Sequence, residues 1–278
     1  MSDLTPVLLC VHPHPDDESI ACGGVLARAA AEGVRTVVVT CTAGEEGENL
    51  AGIDLGDVPL VEHRRRELAE AIAILGVAAH HQLGYRDSGM AGTPANDRPD
   101  CFHRADLDDA ARRLAAIVRT ERPEAVVSDD VNGTYGHPDH VKAHHVTVRA
   151  LELAADASAD VPGEPWAVPR RYVHTLSRSR LVAAHAALVG AGLPSPFGDG
   201  EEPEAFGADD AEVTTRVDVA AHVRTKLAAM RAHASQIGEE SFFMNVPDAL
   251  VDAFLGVEEF ILEDGRAPAP SDGLLGPV

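Results

Sequence analysis

The sequence predicts an α/β protein with a Rossmann-like, three-layer α/β/α arrangement around a mainly parallel sheet. Two observations carry this reading. Short β-branched apolar runs alternate with helical stretches, the pattern of right-handed βαβ crossovers. Two clusters of imidazoles and carboxylates follow the first and fourth of these runs, so a parallel sheet delivers both to one carboxyl edge, where open α/β sheets place ligands.

The elements follow in order. Val7 to Val11 is continuously apolar and reads as a buried strand. Ile20 to Glu32 is a small-residue helix stopped by Gly33. Val34 to Cys41 is β-branched, a second strand, and Thr42 to Asn49 a glycine- and acid-rich loop. His63 to Leu75 places Leu68, Ile72 and Leu75 at helical spacing. Gln82 to Tyr85 is a short third strand, and Arg86 to Phe102 a long loop of the kind that more often serves function. Leu107 to Arg119 reads as a helix and Ala125 to Ser128 as the fourth strand.

Residues 1–155 therefore form a metal-binding core, and 156–278 an α/β elaboration that completes the substrate pocket within the same structural unit. In the second part, Arg171 to Leu176, Val213 to Val219 and Glu258 to Leu262 are strands. Leu181 to Val189, Val223 to Ala234 and Asp248 to Leu255 are helices. Gly190 to Gly207 is a polar, glycine-rich excursion, and the tail from Gly265 is expected to run over the surface.

With 23 basic against 45 acidic residues the net charge is -22, which excludes nucleic acid and anionic membranes as partners. No apolar run reaches the roughly 20 residues of a membrane span. Neither a signal peptide nor a CxxC pair is present, so the expectation is a cytoplasmic protein whose four cysteines are reduced. Oligomeric state is not legible.

The first cluster is His12-Pro13-His14-Pro15-Asp16-Asp17-Glu18-Ser19, with Ser19 or an aspartate as the expected helix cap. The second is Asp129-Asp130-Val131-Asn132-Gly133-Thr134-Tyr135-Gly136-His137-Pro138-Asp139-His140. His14 and Asp17, three apart on one turn, suit one cation, and His140 closes a two-His, one-carboxylate set with open positions, the mark of a catalytic site. His140 and His144, four apart, are an alternative ligand pair; His144 and His145 are read as packing or surface residues. Zinc in the site would lower the pKa of its water toward about 7 and polarise a carbonyl. Asp16 is then free to act as general base, and Tyr135 suits an oxyanion stabiliser. His12 and His174 receive no role. Such a donor set also suits Fe(II), so a non-haem oxygenase is the alternative of a different class, although its usual setting is a β-barrel. A metal-free sugar-binding protein is another.

These motifs resemble the LmbE/PIG-L family of zinc-dependent de-N-acetylases, and within it the mycothiol branch of N-acetylglucosaminyl-inositol deacetylases and mycothiol S-conjugate amidases. Thr42-Ala43-Gly44-Glu45-Glu46-Gly47-Glu48, Arg86-Asp87-Ser88-Gly89, Gly163-Glu164-Pro165-Trp166 and Arg231-Ala232-His233-Ala234-Ser235-Gln236-Ile237 extend the resemblance over nearly the whole chain. It implies a hydrolase of linear amide bonds in a small N-acylated amino sugar. Zinc, or Fe(II) in its place, would sit on His14, Asp17 and His140, with Asp16 as base and Tyr135 at the oxyanion. His137, oriented by Asp139, would add positive charge and protonate the leaving amine. Arg64 and Asp87 would hold the inositol and Glu48 the sugar. Two positions depart from the pattern: Pro13 replaces the usual alanine, and Ala21 stands where conjugate amidases carry lysine. Tailoring of a natural product is the alternative within the family.

Overall fold

The computed structural model describes residues 5–192, 206–238, 241–266, 268 and 273–275. Strands β1 (Val7–His12), β2 (Arg35–Thr42), β3 (Ala79–Tyr85), β4 (Ala125–Ser128) and β5 (Arg170–Thr175) are parallel, and β6 (Thr215–Asp218) and β7 (Val257–Gly265) complete one sheet in the order β3-β2-β1-β4-β5-β7-β6. β7 runs antiparallel to both β5 and β6. The helices are α1 (Asp17–Ala31), α2 (Leu60–Leu75), α3 (Leu107–Glu121), the single turn α4 (Gly133–Gly136), α5 (Pro138–Ala155), α6 (Arg178–Gly190), α7 (Val223–Ala232) and α8 (Asp248–Leu255).

The predicted three-layer architecture is the observed one. All six residues of β1 are buried, and their alternation feeds two cores. Leu8 and Cys10 face α1, α2 and α7, with Tyr172 and Phe260 on the same side. Val7, Leu9 and Val11 face α3 and α5. Asp106 caps α3 by accepting from the Asp109 N–H at 2.9 Å.

Several boundaries differ from expectation. α1 begins at Asp17, three residues early, so Asp17 and Glu18 belong to its first turn. Asp16 is the capping residue, but no side chain caps the helix in the expected way. Instead Glu18 reaches back to the Asp16 N–H at 3.0 Å. The tail does not simply run over the surface: Leu274 and Leu275 are buried in the α1-side core, and the Leu274 carbonyl accepts from the Tyr172 hydroxyl. Most of the expected excursion at Gly190 to Gly207 lies outside the described residues.

α1 is tied to the far end of the chain. Glu258 on β7 accepts from the Gly24 and Val25 N–H groups at 2.7 and 2.8 Å and from Lys226 Nζ at 2.6 Å. Glycine at position 24 permits this approach, because a Cβ there would stand 2.6 Å from Val219 and 2.8 Å from Glu258. His233 Nε2 lies 2.7 Å from Glu18 Oε1, with both side chains fully buried.

Candidate active site

The β1–α1 turn and the β4–α5 loop meet at the carboxyl edge as the parallel register requires. Both contain a non-glycine residue at positive φ, Asp16 at 114° and Thr134 at 61°. Such backbone persists only where surrounding contacts enforce it, and it concentrates at functional sites. The enforcing contacts are visible at Asp16. Its carbonyl accepts from the Ser19 and Ile20 N–H groups, and the Arg64 guanidinium donates to Pro15 O at 2.7 Å and lies 3.3 Å from Asp16 Oδ2.

Three imidazoles, His14, His137 and His140, converge with one nitrogen each within 4.8 Å of the others. Asp17 Oδ2 stands 3.4 Å from His14 Nδ1 and 3.6 Å from His140 Nε2. His14 Nε2 faces Asp139 Oδ2 at 3.3 Å and Asp87 Oδ1 at 3.6 Å, so those carboxylates leave Nδ1 to face Asp17. His140 Nδ1 is 2.7 Å from the buried Asp129 carboxylate, which places the proton on Nδ1 and the lone pair on Nε2. That Nε2 atom is buried with no hydrogen-bond partner. Donors on one ion at about 2.0–2.2 Å and tetrahedral angles stand roughly 3.3–3.5 Å apart. The observed spacings and the unpartnered nitrogen fit a cation held by His14, Asp17 and His140.

His137 is arranged differently. Its Nδ1 accepts from the Asp139 N–H at 3.1 Å, so the ring caps α5 and carries its proton on Nε2. The orientation comes from the Asp139 backbone; the Asp139 carboxylate instead accepts from the Ser88 N–H at 2.9 Å and from the Ser88 hydroxyl. Burial and the neighbouring His14 charge lower His137 to about 4, a neutral ring at neutral pH. Burial, then the Asp17 charge, raises Asp16 to about 6. The Tyr135 ring lies 5.1 Å from His140, and the residue is 62% exposed.

Of the three adjacent arginines only Arg64 turns inward, at 3% exposure, and its Nη1 donates to Gly44 O at 2.8 Å. Arg65 and Arg66 are exposed. Asp87 is buried and accepts from the Gly89 and Glu46 N–H groups at 2.8 and 3.3 Å. Glu48 is exposed, and its carbonyl accepts from Gln236. His144 is buried with Nδ1 on the Asp129 carbonyl, and His145 is exposed.

Sequence reasoning gave no role to Asp129 or Ser88, which set the tautomer of His140 and hold Asp139. The one available signal was that Asp129 is the first residue beyond β4, the position that feeds the sheet edge.

The Arg64 contacts make a test. A Cβ at Gly44 would stand 2.1 Å from Arg64 Nη1, on a backbone at φ +68°. Gly44→Ala is expected to cost about 1–2 kcal/mol from the left-handed backbone alone, and to lower kcat by releasing Asp16. Urea unfolding and turnover both at wild-type values would remove Arg64 from any positioning role.

The model of the PIG-L family, GlcNAc-PI de-N-acetylase, matches residues 9–151. A 1D-myo-inositol 2-acetamido-2-deoxy-alpha-D-glucopyranoside deacetylase of Thermobispora bispora is 46% identical over 97% of this chain and 94% of its own. The enzyme of the same name from Thermomonospora curvata is 45% identical over 98% and 96%. Among solved structures, the conserved protein TT1542 from Thermus thermophilus is similar with a TM-score of 0.61 and 28% identity, covering 95% of this chain and 97% of that one. With the two motifs meeting at one sheet edge and the match running through both, the chain belongs to the PIG-L family of GlcNAc-PI de-N-acetylases.

Proposed function

We propose that the protein hydrolyses the acetamide of an N-acetylglucosaminyl-inositol, releasing acetate and the free amine. The observation that carries this is the buried, unpartnered His140 Nε2 facing Asp17 and His14, with the neighbouring Asp16 carboxylate at a pKa that suits a base. Kinship over nearly the whole chain with enzymes named for that substrate supplies the sugar.

His14, Asp17 and His140 hold a divalent cation, zinc or ferrous iron, since two nitrogens and a carboxylate suit either. Bound there, such a cation would lower the pKa of a water molecule and polarise the amide carbonyl. Asp16 accepts the proton of the attacking water. Negative charge then develops on the former carbonyl oxygen, and the Tyr135 hydroxyl and the His137 Nε2–H donate to it. Because His137 is neutral, it acts as a hydrogen-bond donor, and the proton on Asp16 returns to the leaving nitrogen as the C–N bond breaks. Asp139 keeps His137 and His14 in place. Arg64 has both terminal nitrogens committed to Gly44, Pro15 and Asp16, so its part is to position the base; Asp87 and Glu48 remain to meet the sugar and inositol hydroxyls.

The test is amine release by metal-loaded protein offered N-acetylglucosaminyl-inositol and a mycothiol S-conjugate side by side. Faster turnover of the small acetylated sugar is expected. Preference for the conjugate would make the protein an amidase, and turnover of neither would return the substrate to the natural-product class.

Asp129 gives a second, independent check. Asp129→Ala is expected to weaken metal affinity roughly 10–100-fold, the usual effect of removing the carboxylate that orients a ligand histidine. Competition against a chromogenic chelator measures it, and an unchanged affinity would remove Asp129 from that task.

A further inference from the structure

A second group of metal-ligand side chains lies beside the first and belongs to no step above. The sheet register pairs Cys10 with Val127 and Val127 with Tyr172. Two residues further along each strand, the same register sets His12, Asp129 and His174 in one row at the carboxyl edge of β1, β4 and β5. Each supplies a ligand atom within 4.8 Å of the other two. His12 is fully buried, and neither of its ring nitrogens meets an oxygen or nitrogen at hydrogen-bond geometry, the polar group beside the ring being the Cys10 thiol. Asp129 is also fully buried. Its Oδ1 contacts His140 Nδ1 at 2.7 Å, His174 Nε2 at 3.1 Å and the Thr134 hydroxyl at 3.1 Å, whereas Oδ2 has no partner. Buried polar atoms are nearly always satisfied, so the unpartnered His12 ring and Asp129 Oδ2, in a single row, point to a ligand that takes one nitrogen and the oxygen together.

We propose that His12, Asp129 and His174 form a second transition-metal site, sharing the Asp129 carboxylate with the ligand histidine His140. His174 Nε2 is held 3.1 Å from Asp129 Oδ1, which keeps the ring beside the carboxylate whose Oδ2 is open. Oxygen and imidazole donors of this kind suit zinc, cobalt(II) or ferrous iron. An ion reaches the row past His174, whose side chain is 12% exposed while Asp129 is closed off. Cys10 and Cys22 also lie within ligand distance of His12. Those thiols are the competing ligand set for His12, and the spectrum of bound cobalt(II) separates the two. Asp129 thereby links the two sites: Oδ2 is open toward the row, while Oδ1 fixes the His140 tautomer and holds His174.

The experiment is equilibrium dialysis of the metal-free full chain against cobalt(II), with bound ions counted per chain. Two ions are expected in the wild type, one in His174→Ala, and one in His14→Ala, which removes a ligand of the other site. His174→Gln, closer in shape, guards against misfolding of the alanine variant, which circular dichroism would reveal; it too should hold one ion. A wild type saturating at one ion, a well-folded His174→Gln that still holds two, or a His14→Ala protein that holds none would overturn the proposal. A thiolate-to-cobalt charge-transfer band from the second ion would equally overturn it, by moving the site to Cys10 and Cys22. Because the readout is ion count, failure here leaves the deacetylase reading intact, and a deacetylase reading that fails on its substrate leaves the count unaffected.

Discussion

Asp16→Asn is expected to lower kcat by roughly 10²–10⁴-fold, the range for loss of a positioned general base, with metal content unchanged. The amide keeps the shape of the carboxylate and the contact with Arg64, and Asp16 is not among the three cation donors, so the loss reads the proton transfer alone. The pH profile carries the same information. Asp16 works only when ionised, so kcat/KM of the wild type is expected to fall as pH drops through about 6, where burial and Asp17 place its proton uptake. A nearby cation moves that limb to lower pH by favouring the carboxylate. Amine release measured against metal content by atomic absorption tests both. An asparagine variant keeping more than about a tenth of wild-type turnover would exclude Asp16 as the base.

The largest effect on stability is expected at Glu258. Its carboxylate receives Lys226 Nζ and two N–H groups of α1, and both charged side chains are nearly sealed from water. Glu258→Ala leaves an ammonium group buried without its partner, a loss of about 3–5 kcal/mol. Substituting both partners by apolar residues, as in Glu258→Leu with Lys226→Met, should recover most of this, since the penalty arises from the orphaned charge. Urea unfolding of the single and double variants gives the comparison. A single variant losing less than about 1 kcal/mol would mean that water reaches the pair.

The sequence made the centre of the sheet legible because β1, β2 and β4 are buried on both faces and so are written mainly in apolar residues, as at 7–11 and 125–128. The meeting of the two motifs followed from parallel topology alone. What stayed hidden depended on partners far along the chain. The antiparallel placement of β7 between β5 and β6 leaves no local mark in Val257–Gly265. The burial of Leu274 and Leu275 depends on a groove that exists only once the sheet is formed. The capping of α1 could not be foreseen because Asp16 adopts positive φ, where local preferences give no guidance. That Asp139 orients His137 was legible from their adjacency, but not that its backbone N–H does so, because sequence shows which residues are adjacent and not which atom faces the neighbour.

The bracing of α1 has a consequence for the order of events during synthesis. The first turn carries Asp17, yet Glu18 is secured by His233, 215 positions later, and the body of the helix by Glu258, 234 positions after Gly24. A nascent chain stalled before Val257 has every proposed ligand already translated and none of the β7 contacts that hold α1, the helix carrying Asp17. Metal capture should therefore be tightened only as the last strand clears the ribosome, and stalled chains of increasing length should gain their metal affinity abruptly near the end rather than when His140 emerges.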